Sequence, residues 1–243
     1  MVNILISGYY GFDNIGDESI LRTLVSSLRE HIPDCSLTVL SHNPASTREK
    51  YGVEAVERMS PMAILRAVKK CDMLISGGGS LLQDVTSSKS LHYYLSIIRC
   101  AEFFHKKVFI YSQGIGPIDR PGNRRAAAAA LKRADGILVR DERSASLLEE
   151  IGIARDKVVI TADPVIRMKK PDKDVGAEIL RKAGVSLGGR LTIGWAIREK
   201  DKDGRFVAEI LKSIRWLKET YNAQSVLIPF HYEAVSYTHL RAH

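Results

Sequence analysis

Short apolar runs, rich in β-branched residues, alternate along this chain with longer amphipathic stretches. Six such runs predict β-strands, and their near-continuous hydrophobicity is typical of strands buried on both faces of a parallel sheet. The predicted strands are 2–7, 36–40, 73–76, 107–112, 136–139 and 157–161. Between them, helical periodicity predicts helices at 17–31, 61–70, 90–106, 124–134 and 143–151. Repeated strand–helix units predict an α/β fold of doubly wound, Rossmann-like type.

The pattern changes after Asp163 and Pro164, where the polar segment RMKKPDKD begins. We predict an N-terminal domain over 1–166, a linker over 167–174 and a second Rossmann-like domain over 175–234. That second domain has predicted helices at 175–183 and 205–221 and predicted strands at 191–196 and 225–230. It stops where a doubly wound domain would be about half built, so we expect it to be incomplete in this chain.

The last nine residues, VSYTHLRAH at 235–243, continue neither a strand period nor a helix period. They resemble a translated sequencing-adapter segment, and we interpret them as an artefactual tail. A natural tail is the alternative interpretation.

Composition limits the classes of protein that fit. With 45% hydrophobic and 26% charged positions among 243 residues, the chain is typical of a globular protein with a sizeable core. Its three cysteines form no close pair, which argues against a disulfide framework and against zinc-ligand spacing. No apolar run approaches the roughly 18 residues of a membrane span, and the N-terminus lacks the pattern of a signal peptide. We therefore expect a cytoplasmic location.

The net charge of +8 is unevenly distributed, because residues 166–243 carry 15 basic against 9 acidic side chains. A basic excess favours nucleic acid, an anionic membrane surface or phosphorylated small molecules as partners. The sequence contains no recognisable nucleic-acid module, and its Lys and Arg residues are not interleaved with aromatic residues. Phosphate-bearing substrates or a lipid surface are therefore the expected partners, and nucleic acid is not.

The first candidate site is GYYGFDNIGDES at 8–19, which joins the first strand to the first helix. This layout directs backbone amides and a helix dipole at an anion. However, Asp13 stands where a pyrophosphate would be repelled, so the loop is only loosely a dinucleotide fingerprint. We interpret Asp13 and Asn14 as functional, suited to hydroxyl recognition or proton transfer. For Asp17 and Glu18 we favour a structural role, a tight turn in which Asp17 caps the helix, over the alternative of a functional role.

Three further motifs follow three other strands: SGGGSLLQD at 76–84, SQGIGPI at 112–118 and VRDERS at 139–144. Consecutive glycines let a backbone approach a ligand closely, and strand ends are where open α/β sheets bind ligands. Gln83 and Asp84 could read sugar hydroxyls or satisfy the loop backbone. Arg140 suits bidentate binding of a carboxylate or phosphate, and the alternative is an ion pair with Asp141 or another carboxylate.

One histidine, His231, follows a predicted strand of the second domain. Such a histidine could act as a general acid or bind phosphate, and a plain loop position is the alternative.

These four motifs, in this order at successive strand ends, resemble the polysaccharide pyruvyl transferase family. The CsaB-type enzymes of bacterial secondary cell-wall polymers are the most similar, and the resemblance covers residues 1 to about 233. It implies a GT-B-like fold of two Rossmann-like domains facing a cleft. It also implies ketal formation between phosphoenolpyruvate, as co-substrate, and hydroxyls of a lipid-linked saccharide containing N-acetylmannosamine. The reaction requires no metal and no dissociable organic cofactor, and it is compatible with peripheral contact at the inner membrane face.

The resemblance also implies roles for individual residues. Arg140 would bind phosphoenolpyruvate, and Asp13 would do acid/base work on the acceptor. His231 falls in a P-F-H segment similar to one in the family, and further donor residues of the family fall beyond the end of this chain. The cleft would be lined by Asn14, Gly78, Gly79, Gln83 and Gln113.

Two other functions remain compatible with the sequence. One is a nucleotide-sugar glycosyltransferase of GT-B architecture, which would need base and ribose contacts from the second domain. The other is a non-catalytic module that binds sugar phosphates.

Overall fold

The structure is a computed structural model, and it describes residues 1–85, 87–197 and 204–228. The chain divides into two compact units, Met1–Met168 and Lys169–His243. This division falls within the segment 167–174 that the sequence suggests as a linker. His231 and residues 235–243 lie outside the described residues.

The first unit is built on a seven-stranded parallel sheet of order β3-β2-β1-β4-β5-β6-β7. Its strands are β1 (Val2–Tyr10), β2 (Cys35–Ser41), β3 (Glu54–Glu57), β4 (Met73–Ser76), β5 (Lys107–Gln113), β6 (Gly136–Val139) and β7 (Val158–Ile160). Its helices are α1 (Ile15–His31), α2 (Pro44–Tyr51), α3 (Pro61–Lys70), α4 (Ser88–Phe103), α5 (Pro121–Leu131) and α6 (Glu142–Glu150). A 3-10 turn precedes β7, and another spans Pro164–Arg167.

Both faces of this sheet are apolar, as the uninterrupted hydrophobic runs predict. Leu5 and Leu74 belong to one buried cluster, which α4 and α5 cover. Ile4, Ile6 and Ile75 belong to a second cluster, which α1 covers with Leu21, Leu24 and Val25. Neighbouring residues of one strand enter opposite clusters because successive side chains point to opposite faces. The doubly wound α/β architecture is confirmed.

The strand order brings the candidate motifs to one edge of the sheet. The chain runs outward from β1 to β2 and β3, then returns to place β4 on the other side of β1. The direction of winding therefore reverses between β1 and β4, and a crevice opens at the carboxyl ends of strands at such a point. The loops after β1, β4, β5 and β6 all leave from this edge.

The second unit contains α7 (Lys173–Lys182), β8 (Thr192–Trp195), α8 (Arg205–Tyr221) and β9 (Gln224–Leu227). Its two described strands are parallel, and the Trp195 indole donates to the Ser225 hydroxyl at 3.0 Å. Helix α7 begins at Lys173, inside the segment predicted as linker, because Asp172 caps it by accepting from the Asp174 amide. In the described part of the chain, no helix is long and apolar enough to cross a membrane.

Candidate functional site

Asn14 is the residue that begins α1 at the carboxyl end of β1. Its side-chain oxygen accepts from the amides of Gly16 at 3.0 Å and Asp17 at 3.3 Å. The N-cap position is therefore held by Asn14, and Asp17 lies in the first turn of the helix. Glu18 holds the loop by a different route, since its carboxylate accepts from the Gly11 amide at 2.8 Å and from the Tyr51 hydroxyl. Asn14 has a structural role whether or not it also binds substrate.

Asp13 lies at the tip of the same loop with its side chain 57% exposed. Its backbone is left-handed, with φ of 55°, a conformation that aspartate tolerates better than most residues. The Lys50 ammonium, at the end of α2, lies 2.7 Å from the Asp13 carboxylate. This hydrogen bond is the largest of the influences that raise the pKa of Lys50. Asp13 is thus an accessible carboxylate with a cation beside it, and its oxygens can accept hydrogen bonds from a hydroxyl.

The glycines after β4 pack directly against the N-terminal turns of α1. A Cβ at Gly79, where φ is +87°, would lie 2.9 Å from the Asp17 carboxylate, and one at Gly78 would lie 3.0 Å from Ile20. Both glycines are buried, whereas Ser80 after them is exposed. Only glycine permits this close approach, which brings the loop after β4 against the start of α1.

Gln113, at the end of β5, supports the glycine loop from beneath. Its side-chain amide nitrogen lies 2.9 Å from the Ser76 carbonyl, 2.8 Å from the Ser76 hydroxyl and 3.0 Å from the Gly77 carbonyl. Gln113 is fully buried, and its side-chain oxygen has no partner among the described residues. We predicted that Gln113 lines the cleft surface; the structure instead buries it under the loop, because the carbonyls there need a donor.

Arg140 extends from β6 across the loops that follow β4 and β5. Its guanidinium donates to the Ser80 hydroxyl at 2.9 Å and to the Asp163 carboxylate at 3.3 Å. The Asp141 carboxylate lies 3.7 Å away. One face of the guanidinium lies against Gly114, where a Cβ would be 2.7 to 2.9 Å from three of its atoms. The ion-pair alternative from the sequence is therefore present, with Asp163 as the nearer partner.

The carboxylate of Asp141 accepts hydrogen bonds from the first turn of α6. It accepts from the Ser144 amide at 2.8 Å and the Ser144 hydroxyl at 2.7 Å, so Asp141 is the N-cap. Burial acts to raise the pKa of Asp141, but the Ser144 hydrogen bonds and nearby arginines outweigh it and lower the pKa. Asp141 is consequently ionised at neutral pH beside Arg140.

Gln83 and Asp84 behave differently from each other. Gln83 is half-buried. Asp84 is buried and accepts from the amides of Asp119 at 3.0 Å and Arg120 at 3.1 Å, and from the Asn123 side chain at 2.7 Å. Asp84 thus accepts the hydrogen bonds of backbone amides at the start of α5. The N-cap residue of that helix, Arg120, offers no side-chain acceptor. Of our two interpretations of Asp84, the structural one fits.

Replacing Asp84 with Asn is expected to destabilise the first unit by about 1–3 kcal/mol at pH 7, because hydrogen bonds to a charged acceptor are lost. Burial acts to raise the pKa of Asp84, but the three donors together lower it. A carboxyl group whose pKa is lower in the folded than in the unfolded protein stabilises the fold at pH values above its unfolded-state pKa, near 4. This stabilisation is lost as the pH falls through the folded-state pKa. Urea unfolding at pH 7 and pH 3 should therefore show a difference between wild type and Asp84→Asn that shrinks at pH 3. An equal difference at both pH values would contradict this role.

Cysteine chemistry is not supported at this site. Burial raises the pKa of Cys71 to about 11 and also raises that of Cys100. Both are therefore thiols at neutral pH. Among residues 1–85, 87–197 and 204–228, no group of three or more His, Cys, Asp or Glu could hold a metal ion.

The structure brings four of the sequence-predicted residues together at one edge. Gly79 pairs with Gln113 in a parallel bridge, and the Arg140 amide donates to the Gln113 carbonyl at 3.1 Å. Gly78 adjoins them in the same loop. Asp13 and Asn14 lie in the loop after the adjacent β1. The predicted residue His231 lies outside the described residues.

Sequence reasoning missed three polar residues at this edge: Lys50, Ser80 and Asp163. Ser80 directly follows the glycines of the motif SGGGSLLQD. The sequence does not indicate that its side chain is exposed, which the structure shows. Asp163 follows the last strand of the unit and precedes Pro164, so its place at a strand end could have identified it. Lys50 lies in α2, which hydrophobic periodicity did not predict.

Comparison with known proteins identifies the family of this chain. The family described as polysaccharide pyruvyl transferase matches residues 14–241. The chain belongs to this family. A relative among characterised proteins is the amylovoran biosynthesis protein AmsJ of Erwinia amylovora, 22% identical over 239 residues. That match covers 82% of this chain and 57% of AmsJ, so the chain spans little more than half the length of this relative.

Solved structures similar to this pyruvyl transferase family member confirm a GT-B-type fold. The UDP-GlcNAc 2-epimerase of Methanocaldococcus jannaschii matches with a TM-score of 0.60 and 14% identity, covering 99% of this chain and 69% of that one. Anabaena HepE, solved in complex with UDP-glucose, matches with a TM-score of 0.55 and 11% identity, covering 94% of this chain and 70% of that one. At these identities the likeness concerns the fold alone.

Proposed function

We propose that this protein transfers the enolpyruvyl group of phosphoenolpyruvate to two hydroxyls of one sugar, forming a pyruvate ketal during polysaccharide assembly. The observation that carries the proposal is the position of Arg140. It lies at the carboxyl edge of the sheet, beside the glycine loop, in a chain of the pyruvyl transferase family. A guanidinium at such an edge suits a small substrate that carries both a carboxylate and a phosphate.

The reaction balances without an external oxidant or reductant. A proton adds to the methylene carbon of phosphoenolpyruvate, and the neighbouring carbon becomes cation-like. Two sugar hydroxyl oxygens bond to that carbon in turn, and the bond from it to the phosphate oxygen breaks. Of the two hydroxyl protons, one balances the new methyl group and the other leaves on phosphate. The protein must therefore stabilise charge and move protons, which are tasks for cations and carboxylates.

The two sides of this reaction have separate candidates in the first unit. Arg140 would bind the carboxylate or the phosphate of the donor through donors that now engage Ser80 and Asp163. Asp13, exposed beside Lys50, would accept a hydrogen bond from an acceptor hydroxyl. We further propose that the acceptor is a lipid-linked saccharide containing N-acetylmannosamine, as in CsaB-type synthesis of secondary cell-wall polymers. Enzyme and substrate would then meet at the cytoplasmic face of the membrane, and the family resemblance supports this.

Phosphate release provides the direct test. The purified protein would be incubated with phosphoenolpyruvate and an N-acetylmannosamine-containing acceptor, and inorganic phosphate and the mass of the saccharide would be followed. We expect phosphate release that depends on acceptor, together with a product heavier by one pyruvyl group. Phosphate at the background level in the presence of both substrates would overturn the proposal.

Replacing Arg140 with Ala is expected to weaken phosphoenolpyruvate binding by about 10- to 100-fold, corresponding to the loss of a charge-assisted hydrogen bond. Calorimetric titration of phosphoenolpyruvate into wild type and variant measures this change. Lys107→Ala is the matched control, because Lys107 also pairs with a carboxylate, Asp135 at 2.7 Å, but lies at the start of β5, at the opposite edge of the sheet. Equal affinity of wild type and Arg140→Ala would refute the donor role of Arg140.

A second candidate is transfer of a sugar from a nucleotide sugar. It is favoured by the fold, since HepE was solved with UDP-glucose bound and shares this architecture. The same assay separates the two candidates if UDP-glucose replaces phosphoenolpyruvate. Release of UDP without any phosphoenolpyruvate-dependent phosphate would favour the glycosyltransferase.

A further inference from the structure

Arg58 is a buried cation that carries no ion pair. It directly follows β3, and only 6% of its surface is exposed. Among the residues that the structure describes, no carboxylate oxygen lies within 4.0 Å of its guanidinium. Because desolvation of an unpaired charge is costly, such a residue needs other compensation.

Aromatic rings and a backbone carbonyl supply that compensation. The guanidinium lies 4.7 to 5.7 Å from the ring centres of Tyr9, Phe12, Tyr93 and Tyr94. It donates to the Gly8 carbonyl at 3.3 Å and to the Tyr94 hydroxyl at 3.2 Å. The remaining nitrogen, Nε, is buried without a partner in the described structure. These contacts join Arg58 to two other parts of the first unit, the end of β1 and helix α4.

Three of these contacts are made to one short segment, Gly8 to Phe12, which forms the end of β1 and directly precedes Asp13. Phe12 stacks on Tyr9 with ring centres 4.1 Å apart and on His42 with ring centres 4.4 Å apart, both nearly parallel. Arg58 therefore holds a stack of rings whose middle member precedes Asp13 in the chain. Cation–π attraction is stronger when the cation is desolvated, as Arg58 is.

We propose that Arg58 is a positioning residue that fixes the segment Gly8–Phe12, and through it the Asp13 carboxylate on the acceptor side of the site. The effect on the acceptor rests on the proposed function, whereas the effect on the segment does not. Lys50 holds the carboxylate of Asp13 itself, and Arg58 holds the backbone that presents it. Loss of Arg58 should therefore affect acceptor binding and leave donor binding intact.

Hydrogen exchange tests the first half of the proposal without an activity assay. The variant is Arg58→Met, which keeps length and apolar contact but removes the charge. We expect at least a tenfold faster exchange of the Gly11 amide, which donates to Glu18 at 2.8 Å, with unchanged exchange in β4 and β5. Arg48→Met is the matched control, because Arg48 also donates to a backbone carbonyl, that of Ala55 at 2.7 Å, but contacts none of these rings. Unchanged Gly11 exchange, or equal acceleration throughout the first unit, would overturn the proposal.

Steady-state kinetics test the second half. We expect Arg58→Met to raise the KM for acceptor about tenfold or more with the KM for phosphoenolpyruvate unchanged, and Arg58→Lys to restore part of the loss because a cation remains. A rise in both KM values, or no rescue by lysine, would point to general damage and overturn the assigned role. If wild-type protein shows no pyruvyl transfer, the proposed function fails, while the exchange experiment still decides whether Arg58 fixes the segment.

Discussion

Replacing Gln113 with Glu should cause a large loss of stability that grows as pH rises. The Gln113 amide nitrogen faces two backbone carbonyls and a hydroxyl, in full burial. A glutamate there would present carboxylate oxygens to carbonyl oxygens, with no cation in contact. The carboxyl group would therefore stay protonated in the folded protein, and its pKa would lie above the ordinary value near 4.3.

This raised pKa fixes the direction of the pH dependence. Because the pKa of this carboxyl group is higher in the folded than in the unfolded protein, the variant is most stable below about pH 4. It loses stability as the pH rises toward the folded-state pKa. The variant should be only about 1–3 kcal/mol less stable than wild type at pH 4, because one protonated oxygen can still donate. Above pH 4, the free energy of unfolding of the variant should fall by up to about 1.4 kcal/mol per pH unit until the pH reaches the folded-state pKa.

The measurement must report on the first unit. Both tryptophans, Trp195 and Trp216, lie in the second unit, so their fluorescence would follow the wrong part of the molecule. Urea unfolding followed by hydrogen exchange of β4 and β5 amides is suitable instead. Gln83→Glu is the matched control, since Gln83 is half-buried in the same loop, and it should change stability little between pH 4 and pH 8. A Gln113→Glu variant equally stable at both pH values would disprove the supporting role of Gln113.

The hydrophobic pattern predicted most of the first unit. It missed helix α2 and strand β3, and both omissions have a physical cause. Strand β4, strand β6 and helix α3 have the predicted bounds, and Ser60 caps α3 by accepting from the Ala63 amide at 3.3 Å. Helix α2, by contrast, buries only Thr47 and Tyr51, so it has no apolar stripe to detect. Strand β3 is a four-residue edge strand with glutamate at both ends.

End signals would have found α2 where periodicity could not. Asn43 accepts from the Ser46 amide at 3.2 Å, Pro44 occupies the first turn, and Gly52 ends the helix with φ of 62°. Asn-Pro before a segment and glycine after it is a recognised helix signature. This omission hid Lys50, and with it the ion pair that fixes the Asp13 carboxylate.

The meeting of the motifs at one edge of the sheet was predictable, but the contacts of individual side chains were not. Glycine and polar motifs at successive strand ends correctly indicated one edge of the sheet. Which polar group faces solvent depends on packing between distant segments, as Asp84 and Gln113 illustrate. Both are used by the protein's own backbone, because buried amides and carbonyls in these loops need partners.

The carboxylates around Arg140 place a condition on the donor role proposed for it. The carboxylates of Asp141 and Asp163 both lie within 4 Å of Arg140, so one cation faces two carboxylates. Phosphoenolpyruvate is itself multiply negative, and the two carboxylates would repel it. Donor binding as proposed therefore needs either displacement of Asp163 or additional positive groups.

Replacing Gly114 with Ala is expected to weaken phosphoenolpyruvate binding about tenfold or more without removing any charged group. The added Cβ would lie 2.7 Å from Nη2, 2.8 Å from Nε and 2.9 Å from Cζ of Arg140, so the guanidinium must move. Because it is the end of a flexible side chain and Gly114 does not need a positive φ, the cost in stability should be small. Binding should suffer instead, since charge-assisted hydrogen bonds depend on orientation.

Calorimetric titration of Gly114→Ala with phosphoenolpyruvate measures the effect, and two comparisons assign it to Arg140. Gly122→Ala adds the same methyl group in the first turn of α5, where nothing lies within 4 Å, and should leave affinity unchanged. In an Arg140→Ala background, Gly114→Ala should have no further effect, because residues that act through one contact are not additive. A full additional loss in that background would mean that Gly114 acts on the donor by another route. Unchanged affinity of the single variant would show that the present orientation of Arg140 is not the one that binds.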